Sequence, residues 1–521
     1  MARQEGIRRF RRAAAGIAGW TLASRVLGLV RDRLMFTTFG RGPESSAFWL
    51  AWTVPNLFRR LLGEGALSAV FVPVLTRRLE RDGAAGARRS LATVLGALLL
   101  VLGVLVVLGA AAVLVMPAAW LARDGDLRYA AHLRELLLVL LPYMLPICVV
   151  ALASAAQNVS GRFALPALAP FVLNLFWIAA LLVAGGGERS LADQAVLVGV
   201  ALVVGGLFQV LLQLPGLRRS ELLVAPRLDL GDPDLRDTAK GMLPMLLGLS
   251  VVQLNVLANQ VLAVYLVPET GANSVLFLAN RLLEFPHALV GIALGTAVFP
   301  LLSSLGDQRD REGLGRTLDQ ALSLGLVVAV PAAVGLLALA PEIVDVLFVA
   351  GRFTAADGLE AAGVTGILAL SLPALVAIQV LARAHYALGD RRTPVRISIT
   401  MFALALVANL VLAPRFGVRA LAATSTVSVT GNAALLLWSM RRRLPPARRR
   451  AWRALGVAVL ASVPMVVTAR LAADRCAALV GGGGLPARLA VALLVPIGAA
   501  ALVYLGAARL LGADELRLRR R

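Results

Sequence analysis

Cysteine and histidine are nearly absent from this chain of 521 residues. The two cysteines, Cys148 and Cys476, lie far apart and leave no disulfide framework to read. The three histidines, His132, His287 and His385, lack ligand spacing and read as loop or interfacial residues, so neither a metal nor another cofactor is expected. No phosphate-loop pattern and no nucleophile elbow occurs in a strand-to-helix context. The run Gly481 to Gly484 reads as an outer loop, not a nucleotide cradle. These absences exclude the common enzyme classes. They also leave a gradient, the membrane potential or consumption of a product as the only drives for any movement.

Charge is scarce too, at 16% of residues against 59% hydrophobic. Repeated apolar runs of about 20 residues are the mark of spanning helices. The fold expected is an all-α polytopic membrane protein with about fourteen spans and no soluble domain. The net charge of +22 does not indicate nucleic acid, because the basic residues fall into short loops between apolar runs. Clusters at Arg8, Arg9, Arg11 and Arg12, at Arg77, Arg78 and Arg81, at Arg218 and Arg219, at Arg391 and Arg392, and at Arg441 to Arg443 mark every second loop. That alternation predicts two cytoplasmic termini and an even number of spans. The first apolar run mimics a signal peptide, but Arg25 and Arg31 to Arg33 interrupt it and favour an uncleaved first span.

The spans fall near 13–39, 45–79, 90–116, 133–157, 163–184 and 191–214, then 242–267, 274–305, 318–340, 358–388, 395–413 and 420–440, with two more at 454–471 and 489–511. The organisation expected is an N-terminal lobe over 1–214, a polar cytoplasmic linker over 215–240, a C-terminal lobe over 241–441, and a basic linker with two extra spans over 442–521. The second helices of the two lobes echo each other: Ala69 to Pro73 closes one and Ala297 to Pro300 the other.

Arginine within such spans is costly and usually faces a bundle interior or a wet cavity. Arg25 lies mid-way along the first span, near Gly28; Arg31, Asp32 and Arg33 lie nearer its end, where Arg33 reads as a snorkelling residue. The second span holds Pro55 and Asn56, then Arg59 and Arg60, then Glu64 between two glycines. Arg60 and Glu64 are four apart and suit an ion pair. Arg59 points about 100° away without a local partner in the sequence, which makes it the better ligand candidate. In the eighth span Asn280, Arg281 and Glu284 precede Pro286; Arg281 and Glu284 can neutralise each other. Pro55 and Pro286 predict bends. A buried cationic cluster suits phosphate or carboxylate.

The runs Ser24 to Asp32 and Pro55 to Ala66, the closing Phe71-Val72-Pro73, Gly161 to Pro166, Asn280 to Pro286, Ala293 to Thr296, Gly351 to Thr354 and Arg392 to Arg396 together resemble the lipid II flippases of the MurJ (MviN) family. The resemblance covers the first twelve spans in order. It implies two pseudo-symmetric six-helix lobes around a central cavity, as in the multidrug/oligosaccharidyl-lipid/polysaccharide exporters, with the two extra helices forming a lipid-tail groove. It implies an undecaprenyl-diphosphate-linked peptidoglycan precursor as cargo, moved by alternating access across the bacterial cytoplasmic (inner) membrane. By the same resemblance Arg25, Arg31, Arg59 and Arg281 meet the diphosphate, with Asp32, Asn56, Arg60, Glu64, Asn280 and Glu284 in support and Gly28, Pro55 and Pro286 as hinges. Membrane lipids and other cell-wall synthesis proteins are the partners it suggests. The chain departs from its relatives at Ser46 and Asn280, where aspartate is common. Some relatives are thought to bind sodium in the second lobe with a carboxylate; here 395–413 offers Asn409 and 420–440 only serine, threonine and Asn432, which puts sodium coupling in doubt and leaves potential-driven return open. Export of another polyprenyl-linked oligosaccharide, and a non-transporting scaffold role, are the rival readings.

Overall fold

A computed structural model describes residues 2–186, 188–444, 450–480 and 484–513. Helix covers each of the fourteen ranges expected to span, and no strand forms among the described residues. Ten helical segments there are long and apolar enough to cross a membrane. The chain divides into two compact units, Met1–Val261 and Leu262–Arg521.

The first unit contains α1 (Ala2–Phe39), α2 (Pro43–Phe58), α3 (Leu67–Val115), the short α4 (Ala118–Leu121), α5 (Leu127–Leu140), α6 (Met144–Val159), α7 (Ala164–Gly185), α8 (Leu191–Arg219) and most of α9 (Pro233–Tyr265). Its core is aromatic. Phe36, Phe48, Trp49, Tyr143 and Trp177 are fully buried, and the rings of Trp52 and Trp177 meet edge to face at 5.0 Å. Such pairs add roughly 0.5–1.5 kcal/mol beyond their buried area.

The second unit contains α10 (Ala272–His287), α11 (Ala293–Asp307), α12 (Arg311–Phe348), α13 (Ala355–Ala369), α14 (Leu372–Ala387), α15 (Arg392–Arg441), α16 (Arg450–Val480), the single turn α17 (Leu485–Ala487) and α18 (Val495–Leu510). One core joins α11, α12, α14 and α15, and another joins α12 to the two extra helices. Those extra helices are pinned to α12 along its length. The Ala451 N–H donates to Asp319, the Tyr504 hydroxyl to the Val327 carbonyl, and Arg470 pairs with Glu342 at 2.8 Å.

Proline shapes α2 in the first unit and α10 in the second. Without an N–H, proline breaks the ladder and the helix widens locally. After Pro55 the chain runs as a π-helix over Arg59–Ala66, and after Pro286 over Ala288–Ile292. The expected bends are therefore built as π-helical turns. α3 and α15 are far longer than a bilayer of about 30 Å requires. Each is interrupted by one glycine, Gly83 at φ 63° and Gly417 at φ 65°, with ψ near −160°, a region that essentially only glycine adopts.

The polar segment 215–240 packs on α3 within the first unit, which extends to Val261. The Arg227 N–H donates to the Ala92 carbonyl at 3.0 Å, Arg78 pairs with Asp234 at 2.7 Å, and Arg89 lies 3.9 Å from both Asp229 and Asp232. The histidines, read as loop or interfacial residues, all lie in helices. His385 is fully buried, with its ring nitrogens on the Leu381 carbonyl and the Ser439 hydroxyl, because polar partners on α14 and α15 meet it there.

Candidate functional site

Two elements of the first unit carry the candidate arginines, α1 and the α2–π segment, and the apolar α7 packs against α1. Arg31 is held from several sides. Its Nε and Nη2 donate to Asp32 Oδ1 at 2.9 and 2.5 Å, and its Nη1 donates to Asn174 Oδ1 at 2.9 Å. The guanidinium lies 4.3 Å from the centre of the Trp177 ring. Charge, hydrogen bonding and cation–π attraction therefore fix one geometry, with Asp32 itself only 1% exposed. An ion pair this buried is weak evidence for stability but defines orientation well.

Arg25 precedes Arg31 by about 9 Å of helix rise and points about 120° away from it. Its side chain is exposed, next to Ser24, whose carbonyl accepts from Asn174 Nδ2 at 3.0 Å. Gly28, one turn on, is buried.

Arg59 opens the π-helical turn. Contrary to the sequence expectation it has a local partner: its Nε donates to Asn56 Oδ1 at 3.0 Å. Asn56 follows the buried Pro55, so the proline bend sets where the amide points. Tyr143 packs at 5.3 Å on Trp52, which in turn meets Trp177, the ring that Arg31 covers. Arg60 is half-buried, and the Glu64 side chain, its expected partner, lies outside the described residues.

Arg281 belongs to the second unit and pairs with Glu284 at 3.1 Å, both partly exposed. Asn280 spends its amide on the Leu276 carbonyl at 2.8 Å. Pro286 precedes the second π-helical segment directly. Among the described residues no group of three or more His, Cys, Asp or Glu side chains gathers to hold a metal ion. Asn409 is buried and accepts from the Thr424 hydroxyl, while Asn432 donates to Ser398 at 3.1 Å.

Asn174 and Trp177 are the residues that motif reading missed. Their signal is an amide in the middle of an apolar helix, where polar groups are expensive and persist for a reason.

The fold is similar to those of solved membrane transporters. It superposes on an inward-facing multidrug MATE transporter of the MOP superfamily with TM-score 0.66 at 15% identity, covering 80% of this chain and 94% of that one. It superposes on a lipid II flippase MurJ in an inward closed conformation with TM-score 0.77 at 20% identity, covering 96% and 99%. A family model described as lipid II flippase MurJ matches residues 35–480. A probable lipid II flippase MurJ of Vibrio cholerae is 35% identical over 430 residues, 81% of each chain. One of Bdellovibrio bacteriovorus is 33% identical over 511 residues, 97% of this chain and 95% of that one. The chain belongs to the lipid II flippase MurJ family.

Proposed function

We propose that this protein flips lipid II, the polyprenyl-diphosphate-linked peptidoglycan precursor, from the cytoplasmic to the outer leaflet of the bacterial inner membrane for cell-wall synthesis. The observation that carries the reading is the pair of oriented cations, Arg31 on α1 held by Asp32, Asn174 and Trp177, and Arg59 in the π-helical turn bonded to Asn56. Cationic side chains at such depth suit an anionic visitor, and guanidinium suits phosphate in particular.

Arg25 and Arg59 take up the diphosphate, and Asn56 aims Arg59. Arg31, clamped by Asp32, Asn174 and Trp177, adds its field and holds α1 on α7. Arg281, balanced by Glu284 beside Asn280, is the corresponding cation of the second unit. Arg60 and Glu64 support the π-helical turn. Gly28, Pro55 and Pro286 are where the helices flex as the protein alternates access. The two extra helices, fastened to α12, provide a surface for the lipid tail, and both termini lie in the cytoplasm.

The test is the access of an impermeant label to lipid II in cells depleted of this protein. Loss of outer-leaflet lipid II, restored by wild type and not by Arg59→Ala, supports transport. Unchanged labelling on depletion contradicts it and favours a scaffold. Loss of a different polyprenyl-linked glycan points to another cargo.

A further inference from the structure

We propose that Arg383 on α14 forms a second anion-binding point, one that takes a carboxylate of the cargo's peptide rather than its diphosphate. The inference rests on the flippase reading above and adds a residue for head-group selection to it.

Arg383 lies in a segment, Ala355–Ala387, long and apolar enough to span a membrane. An arginine four residues from a helix end usually snorkels to the near interface. Arg383 does the opposite. Its Nη1 donates to the Gln379 carbonyl at 2.7 Å and to the Gln379 side-chain oxygen at 2.9 Å, one turn deeper into the span. Its charge is therefore held against the preceding turn of α14 and not at the end of the helix. No carboxylate pairs with it among the described residues, unlike Arg31 and Arg281.

The guanidinium lies flat against Gly295 of α11. A Cβ at that position would fall 2.1 Å from Nη1, 2.6 Å from Cζ and 3.3 Å from Nε. The missing side chain is what lets the charge lie there. With Nη1 committed to Gln379, the Nε–Nη2 edge is left without a partner among the described residues. Those two parallel N–H groups match the two oxygens of one carboxylate. One cation with one free edge suits a single negative charge; a diphosphate calls for several. A charge held at this depth without a protein counter-ion is costly unless something visits it.

The experiment measures binding by the full-length protein in nanodiscs. The probes are lipid II and the same undecaprenyl-diphosphate disaccharide lacking its peptide. Wild type is expected to bind the peptide-bearing lipid about tenfold more tightly, as a charged hydrogen-bonded pair provides. Arg383→Gln is expected to abolish that preference and to bind the peptide-free lipid as wild type does. Gly295→Ala retains the arginine and favours helix, yet pushes the guanidinium aside, and is expected to act like R383Q. Wild-type preference retained by both variants overturns the proposal, as does an equal loss of both lipids in R383Q. Wild type that binds the peptide-free lipid no better than a neutral lipid contradicts the diphosphate site itself, whatever the variants do.

Discussion

Asn174 ties Arg31 to Ser24: its Oδ1 accepts from Arg31 Nη1 at 2.9 Å while its Nδ2 donates to the Ser24 carbonyl at 3.0 Å. One amide on α7 therefore grips α1 at two points a little under two turns apart, and Arg25 adjoins the first of them. Replacing Asn174 by Leu strands a guanidinium donor in a buried setting, at a cost of about 1–3 kcal/mol. Thermal unfolding in detergent should show N174L melting several degrees below wild type. N174D, which still accepts from Arg31, should recover part of the loss. Melting of N174L at the wild-type temperature would show that the clamp holds nothing.

The packing of the polar segment 215–240 on α3 depends on Gly96. A Cβ there would fall 2.2 Å from the Arg227 carbonyl oxygen and 3.0 Å from its nitrogen. Backbone cannot yield as a flexible side chain does, so Gly96→Ala should lift the linker off α3. Limited trypsin digestion then cuts at Arg227 faster than in wild type, while the helices stay intact by circular dichroism. Unaltered cleavage would mean that the Asp229, Asp232 and Asp234 pairs hold the linker unaided.

Two glycines allow a comparison of strain with and without a steric clash. Gly83 and Gly417 adopt nearly the same φ, but a Cβ at Gly83 meets nothing within 4 Å, whereas at Gly417 it meets the Glu269 carboxylate at 2.8 Å. Gly83→Ala should cost the conformational strain alone, about 1–3 kcal/mol. Gly417→Ala should cost more. Equal melting temperatures for the two variants would contradict this.

Asp390, in the loop before α15, provides a pH-dependent contribution outside the spans. Burial pushes its carboxyl up, but hydrogen bonds from Thr393 and the charge of Arg443, 2.5 Å away, outweigh that and hold it down at about 2. A carboxyl depressed below its unfolded value of about 3.9 stabilises the fold fully above that pH. The contribution fades as the pH falls through about 2. Asp390→Asn should therefore melt below wild type at neutral pH, with the gap closing between about pH 4 and pH 2. A gap that persists at the acid end would rule out this ion pair as its source.

Much of the architecture is legible in the sequence, because hydropathy and basic loops report directly on the solvent each segment meets. The proline signals were likewise readable: Pro55 and Pro286 do mark irregular helix. The form of the irregularity, a π-helical turn, depends on how the neighbouring carbonyls are satisfied and could not be read. Arg59 was expected without a local partner on ideal helical angles. The widened turn instead gives it Asn56, three residues back. Trp177 and Asn174 lie 143 or more residues from the arginine they hold, and no local pattern predicts such a contact. Nothing local in the sequence marks Arg383, since an arginine near a helix end ordinarily turns to the interface. Only the three-dimensional path of its side chain towards Gln379 reveals otherwise.

The central claim is that Arg25 and Arg59 are kept out of lipid to receive a diphosphate. Equilibrium binding of undecaprenyl diphosphate to the purified protein at low ionic strength, where such attraction is least screened, tests it most directly. The account predicts that Arg25→Ala and Arg59→Ala each weaken binding tenfold or more, about 1.4 kcal/mol, and that Arg59→Lys restores part of it. Affinity equal to wild type in both alanine variants would contradict it.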